Sequence, residues 1–502
     1  VEFLADDRLG GRQPGTAGYD LAARYVAEQF RNLGVSPAAP GDGWFQPVPL
    51  RSASRVEGSD TAAVIQRGRR IELDFPADFF RRPDLLLEQS RLRAAMVFVA
   101  YGVDAPALGY SDYTDVDVRG KVVVMLAGTP AALDGDAAGY FGTEQAKLEA
   151  AARHGAAGVV FVFTPLNEAV TAWDDIQAMT TAPAIGAING NGRVTGTVPG
   201  LHSATTISHH AAGPLFDGSG HELTDILALD REGGRVPVFG LDGEIKLAQA
   251  SRHDAIHSAN VVGMVPGTDP LLARDLVVYV AHLDHIGVRP IDGEPVVHNG
   301  ALDNAVGVAV MLDVARRFVK QPSRRTVVFL ATTAEEAGLV GADWYARQPL
   351  PAGHRPVAVI NIDMPVLLFD FTEAVAWGGE RSSLGDAFAV AAAESGISVA
   401  DDPFPGLNIF TRSDHYAFVR QGVPALMLGP APGPDGGDNA IRFDRFLAES
   451  YHRPSDRPGI GIDYAAADRF ARLAFRTGEV VAGQSARPRW RAGDFFGETF
   501  SR

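Results

Sequence analysis

The stretch Leu276-Val277-Val278-Tyr279-Val280-Ala281-His282-Leu283-Asp284-His285 decides how the chain is read. Its first five residues are apolar, rich in β-branched side chains and without polar alternation. Such a run predicts a strand buried on both faces of a parallel sheet. In open α/β sheets, ligands collect where strands end at their carboxyl edge, and His282 and Asp284 stand at such an edge. A His two residues from an Asp is a metal ligand with its orienting carboxylate, or else a strand-end histidine in an ordinary hydrogen bond. On sequence His285 rivals His282 as the ligand.

Four further stretches put acidic or His side chains at element ends. Asn299-Gly300-Ala301-Leu302-Asp303-Asn304 precedes a helix with Val310, Met311, Val314 and Phe318 on one face. Thr332-Thr333-Ala334-Glu335-Glu336 follows a strand ending at Ala331, and Asn361-Ile362-Asp363 ends the next strand. Tyr451-His452-Arg453-Pro454-Ser455-Asp456 lies in a loop. Singly, each has a plain explanation as a helix cap or a turn former. Together, in order, at the ends of successive strands, they give His282, Asp303, Glu336, Asp363 and His452. Two imidazoles and three carboxylates suit zinc without sulfur. Five ligands exceed one tetrahedral zinc with an open position and suit two ions sharing a carboxylate, ~3.5–4 Å apart. Consecutive side chains on an extended segment point opposite ways, so one of the adjacent glutamates can bind metal while the other faces the water.

Around this set the pattern is a regular α/β alternation from about residue 255. Strands are expected at Leu276–Val280, Thr326–Ala331, Val357–Ile362 and Ala425–Leu428. Helices are expected over 304–319, 338–346, 383–395 and 464–482. Near the start, Tyr19, Ala22, Ala23, Val26, Phe30 and Leu33 share one helical face that stops at Gly34. Ala63-Val64-Ile65 and Ile71-Glu72-Leu73 read as a hairpin. The middle of the chain predicts strands Met96–Val99, Val122–Leu126, Val159–Phe163 and Thr205–Ser208, with a helix from Glu144 to His154. Asn189-Gly190-Asn191-Gly192 lacks the ending of a phosphate loop and reads as a surface turn. His253 and His257 are four apart but lack the intervening Glu of a metalloprotease helix.

Composition narrows the function classes. At 502 residues the chain is too long for one core. Its 45 Lys and Arg against 61 Asp and Glu give a formal charge of −16, which disfavours nucleic acid and anionic membranes as partners. With no cysteine, thiol nucleophiles and Cys-ligated zinc are excluded. No apolar run reaches membrane-spanning length. The start at Val1 rather than Met implies a removed leader segment and an extracytoplasmic location, periplasmic or secreted.

These motifs resemble the co-catalytic di-zinc aminopeptidase family, whose zinc exopeptidase fold is shared by glutaminyl cyclases and glutamate carboxypeptidases. Gly11-Arg12 and Gly15-Thr16 fit the same resemblance. It implies a mixed, mainly parallel central sheet with helices on both faces. It also implies two Zn2+ ions: His282 and Asp363 on one, Glu336 and His452 on the other, Asp303 bridging across a cis Asp303–Asn304 peptide. Asp284 would orient His282, Glu335 would be the general base, and Tyr451 would hydrogen-bond the developing oxyanion. Arg412, Ser413, Asp414 and His415 match a segment beside the family's substrate pocket. Val306 departs from the Ser common after Asp-Asn-Ala.

Val118-Arg119-Gly120-Lys121-Val122 and Ala152-Arg153-His154-Gly155-Ala156-Ala157-Gly158-Val159 resemble the smaller protease-associated α/β insert. The expected organisation is 1–80 as the first part of the catalytic domain, 81–250 as the insert, 251–485 as the zinc peptidase domain and 486–502 as a tail. The expected activity is aminopeptidase cleavage of a peptide substrate by a metal-activated water. The alternatives are a carboxypeptidase or glutaminyl cyclase of the same fold, or a non-catalytic receptor-like binding protein.

Overall fold

The run around Val278 is the strand Asp275–His282, buried along its whole length. It lies in a computed structural model that describes residues 1–133, 135–179, 182–291, 293–433 and 437–501. Two compact units are present: Val1–Leu50 with Ile256–Arg502, and Arg51–Ala255.

In the first unit, Asp275–His282 sits between Thr326–Thr332 and Arg355–Asn361, parallel to both. Ala425–Ala431 continues the parallel set beyond Arg355–Asn361. The edges are mixed. The end of the strand Val238–Val265 runs antiparallel to Thr326–Thr332, and Glu373–Trp377 runs antiparallel to Ala425–Ala431. Val277, Val278, Tyr279 and Val280 are fully buried, and each such side chain contributes ~1.5–3 kcal/mol relative to exposure.

The helices Ala17–Leu33, Val306–Lys320, Tyr464–Gly483 and Leu384–Glu394 pack successively on one another beside the sheet. Thr16 caps the first helix and Gly34 ends it in the left-handed conformation. Gly478 is required where the helix Tyr464–Gly483 crosses the central strand: a Cβ there would lie 1.9 Å from Tyr279 Oη. That hydroxyl donates to Ala474 O at 2.6 Å.

The second unit has its own sheet and core. Gln89–Val99, Val122–Leu126, Gly158–Phe163 and Ala204–Ser208 lie side by side and parallel. The expected hairpin forms from Thr61–Gln66 and Arg69–Leu73. Thr61–Gln66 also pairs with the first part of Val238–Val265, which draws 51–80 into this unit rather than into the catalytic domain. Strand pairing over nearly 200 positions outweighs nearness in sequence. Residues 486–502 likewise belong to the first unit. Trp490 Nε1 donates to Gly422 O at 2.9 Å, and Phe496, buried, packs on Phe410.

Candidate active site

His282 closes its strand in register with Thr332, and Asn361 pairs with Val280. Three parallel strands therefore end at one edge and deliver His282, the Glu335-Glu336 loop and Asp363 to the same place. Asp303 comes from the turn Ala301–Ala305 ahead of the helix Val306–Lys320. His452 comes from the loop after the helix Gly437–Glu449.

The five side chains expected as ligands meet. His282 Nε2 lies 2.9 Å from Asp363 Oδ1 and 3.1 Å from Asp303 Oδ1. His452 Nε2 lies 3.2 Å from Asp303 Oδ2 and 3.1 Å from Glu336 Oε2. Asp303 thus offers one oxygen to each imidazole. His285 joins the second group, with Nδ1 2.7 Å from Glu336 Oε1 and 3.7 Å from Asp303 Oδ2. Its Nε2 is buried without a hydrogen-bond partner. Tyr451 stacks on His452, with ring centroids 3.9 Å apart.

The backbone around the cluster is held by side chains. Asp284 differs from the expectation. Its carbonyl oxygen, not its carboxylate, lies 3.1 Å from His282 Nδ1. The carboxylate instead accepts the Glu335 N–H at 3.0 Å and the Glu336 N–H at 3.3 Å, because these amides in the loop after the neighbouring strand face it. Asp456 accepts the amides of Leu302 and Asp303 at 2.8 and 3.0 Å. Asn304 Oδ1 accepts from Gly307 and Met364, and its Nδ2 donates to Ile362 O. The Asp303–Asn304 peptide is cis. Ala334 and His452, non-glycine residues beside or within the site, have φ of 55° and 56°, a left-handed conformation that clusters at functional sites.

The Arg12 guanidinium is wholly buried. It donates to Leu283 O at 2.7 Å, Leu4 O at 2.5 Å, Asn299 O at 2.6 Å and Gly300 O at 3.0 Å. It thereby ties together the loops that follow His282 and precede Asp303.

Ser413, Asp414 and His415 are almost wholly buried, so the expected substrate contact does not match their placement. Ser413 Oγ donates to Asp363 Oδ2 at 2.5 Å and accepts from Asn361 Nδ2 at 2.6 Å. Asn361 Nδ2 also faces His415 Nδ1 at 3.2 Å, and Asp414 accepts from Thr332 Oγ1. The segment supports Asp363 and the strand ends from behind, through Ser413 on Asp363 and Asp414 on Thr332, while Asp414 Oδ1 and His415 Nε2 are buried without a hydrogen-bond partner. Arg412, at its start, is exposed. His253 Nε2 lies 2.7 Å from Asp84 O.

The adjacent glutamates are driven in opposite directions. Burial, with Asp363 and Glu336 adding to it against His282, raises Glu335 well above the carboxylate range. Burial and Asp303 would also raise Glu336, but His452 and His285 outweigh them and lower it. Burial disfavours charge on His452, yet Glu336 and Asp303 raise it to about 10. Two neighbouring acids pushed apart in this way divide a proton-carrying role from a charge-holding one.

The contributions of Arg12, Asp456 and Asn304 were not assigned from sequence, although all three lie within or beside quoted motifs. Their signal is positional: Arg12 directly follows Gly11 ahead of the first helix, Asn304 directly follows Asp303, and Asp456 lies four residues after His452.

A mainly parallel sheet flanked by helices, with imidazoles and carboxylates gathered at its carboxyl edge, defines the zinc exopeptidase class of fold. Residues 260–477 match the model of Peptidase family M28. A probable zinc metalloprotease of Pyrenophora tritici-repentis is 41% identical over 83 residues, 16% of this chain and 19% of the relative. Aminopeptidase YwaD of Bacillus subtilis is 28% identical over 120 residues, 24% of each chain. The chain spans about a fifth of the length of the first curated relatives it matches. The solved aminopeptidase from Aneurinibacillus sp. strain AM-1 aligns over 97% of this chain and 93% of its own, with 20% identity and a TM-score of 0.55, a likeness of fold.

Proposed function

We propose that the protein is a zinc aminopeptidase that removes N-terminal residues from peptides. The observation that carries this reading is the convergent set of buried His282 and Asp303 with partly buried Glu336, Asp363 and His452, and Glu335 beside it. The donor set fits zinc: nitrogen and oxygen ligands only, three carboxylates in need of a cation, and spacings of 2.9–3.2 Å around a shared Asp303. His282 and Asp363 would hold one ion and Glu336 and His452 a second, with Asp303 between them. Bound zinc would supply Lewis acidity and a lowered water pKa.

The chain's own groups do the rest. Glu335 takes the proton of the attacking water on its carboxylate, which burial has made proton-accepting, and passes it to the leaving amine nitrogen. Tyr451, whose pKa is raised by burial and then by Asp303, Glu336 and Glu335, keeps its proton and donates a hydrogen bond to the carbonyl oxygen as charge develops. Asp284, through the amides of Glu335 and Glu336, positions both acids.

The unit 51–255 is proposed as the protease-associated insert and the protein as extracytoplasmic. No described helix is long and apolar enough to cross a membrane.

Two substitutions test the roles. Glu335→Gln retains zinc and fold while the rate falls by at least ~10²–10⁴, and added zinc restores nothing. Glu336→Gln loses zinc and recovers in part when zinc is added. The roles are reversed if the Glu335 variant is the one rescued. A panel of peptides with free and blocked N-termini, including an N-terminal Gln peptide for cyclisation, decides the substrate end. Cleavage of N-blocked peptides with a requirement for a free C-terminus would sink the aminopeptidase reading.

A further inference from the structure

A second group of metal-ligating side chains lies in the unit 51–255, built on the carboxyl ends of two adjacent parallel strands. Gly158–Phe163 and Ala204–Ser208 run in register, Phe163 opposite Ser208. Beyond the first strand, Thr164 starts the short helix Pro165–Glu168 through a reciprocal capping box with Asn167, which fixes the backbone of Glu168. Beyond the second come His209 and His210. The His209 N–H donates to Phe163 O at 3.0 Å, so the two chain ends are tied together directly beneath the three side chains.

The ligand atoms converge without hydrogen-bonding. Glu168 Oε2 lies 3.4 Å from His209 Nδ1 and 3.7 Å from His210 Nε2. One oxygen faces both imidazoles, and all three ligand atoms lie within 4.8 Å of one another. The contacts are longer than the ~2.7–3.2 Å of ordinary hydrogen bonds. They are close to the ~3.3–3.4 Å edge of a tetrahedron whose metal–ligand bonds are ~2.0–2.1 Å. His209 Nδ1 is sealed from solvent and has no hydrogen-bond partner. The two rings are close and tilted by 38°, with centroids 3.9 Å apart. His210 is largely exposed, which leaves a water-accessible fourth position.

We infer that Glu168, His209 and His210 form a second metal site, separate from the catalytic cluster, that takes a zinc-like divalent transition-metal ion. Two imidazoles and one carboxylate, without sulfur, select zinc and its first-row neighbours over calcium or magnesium, which prefer all-oxygen shells. The ion would join the short helix to the segment after Ser208, giving the domain a clamp at one sheet edge.

The test uses the full chain stripped of metal and dialysed against zinc chloride at a series of buffered free concentrations. The zinc retained is counted, and peptidase activity is followed in parallel to report loading of the other site. Wild type is expected to hold one zinc equivalent more than His210→Ala, a substitution at an exposed side chain that leaves folding and activity intact. His209→Ala and Glu168→Gln lose the same equivalent. His221→Ala, an exposed imidazole of the same unit outside the cluster, keeps it. Equal zinc content in wild type and His210→Ala at every concentration overturns the inference. So does an equivalent that disappears equally in His221→Ala, which would mark general surface binding by histidine.

Discussion

Arg12→Lys keeps a positive charge in the same place and asks what the guanidinium geometry is worth. Four buried carbonyls, from Leu4, Leu283, Asn299 and Gly300, depend on Arg12 at 2.5–3.0 Å. Burial lowers its pKa to about 10 against the pull of Asp303 and Asp284, so it is charged at neutral pH. A planar fork reaches acceptors spread on several sides at once, while an ammonium on a thinner stem reaches a subset. If lysine retains two of the four bonds, the loss is two charge-assisted bonds at ~1.5–3 kcal/mol each, or ~3–6 kcal/mol. That is a large share of the ~5–15 kcal/mol that holds a typical protein folded. The damage is local to the loops beside His282 and Asp303, so zinc affinity should fall as well, by the ~10–100-fold typical of lost support behind metal ligands. Guanidinium chloride unfolding and zinc competition against a chelator measure the two effects. A variant within ~0.5 kcal/mol of wild type, the usual range for a surface substitution, and with the same zinc affinity would refute the claim that Arg12 binds these loops together.

Asp456→Asn leaves one of the amides of Leu302 and Asp303 facing an NH2 group instead of an acceptor, at a cost of ~1–3 kcal/mol; chelator competition should show weaker zinc binding with the overall fold retained. Gly478→Ala forces a methyl group onto Tyr279 Oη and should destabilise by ~1–3 kcal/mol or more; adding Tyr279→Phe should recover part of the lost thermal stability, and no recovery would place the strain elsewhere. Lys147, fully buried and donating to Leu126 O and Gly128 O, has its pKa lowered by burial to about 7 against the pull of Asp112 and Asp230. Between pH 7 and the unfolded value near 10.5, the unfolded chain holds a proton that the folded chain has released, so stability rises with pH across that window by at most ~1.4 kcal/mol per unit. In urea, the stability of wild type relative to Lys147→Met should therefore grow from pH 7 to pH 9, and a constant difference would exclude the buried amine as its source.

Much of the site could be read in advance because three of the ligands, His282, Glu336 and Asp363, are each announced by their own strand. The apolar runs before His282, Glu335 and Asp363 are short and unbroken, and parallel strands must deliver their carboxyl ends to one edge. Features that depend on who pairs with whom were hidden. Thr61–Gln66 looks the same whether it pairs in the catalytic unit or, as it does, with the first part of Val238–Val265. Asp284 lies two residues from His282, but its carboxylate turns to amides contributed by another loop. Ser413, Asp414 and His415 have the polarity of a substrate-facing segment, and only their burial shows that they serve Asp363 instead. In each case local chemistry was correct and the partner was set by long-range topology.

The division of the first unit into Val1–Leu50 and Ile256–Arg502 has a consequence for biosynthesis. The helix Ala17–Leu33 finds its packing partner in Val306–Lys320, and Arg12 finds three of its four acceptors 271 to 288 positions away. At ~5–20 residues per second, the ribosome needs roughly 10–40 s to make the intervening 51–255. Through that interval the amphipathic helix of the early segment has no apolar surface of its own unit to cover it, while the unit 51–255 can complete its sheet from residues already made. A chaperone that shields the first 50 residues should therefore raise the yield of active enzyme more than one acting on the finished chain.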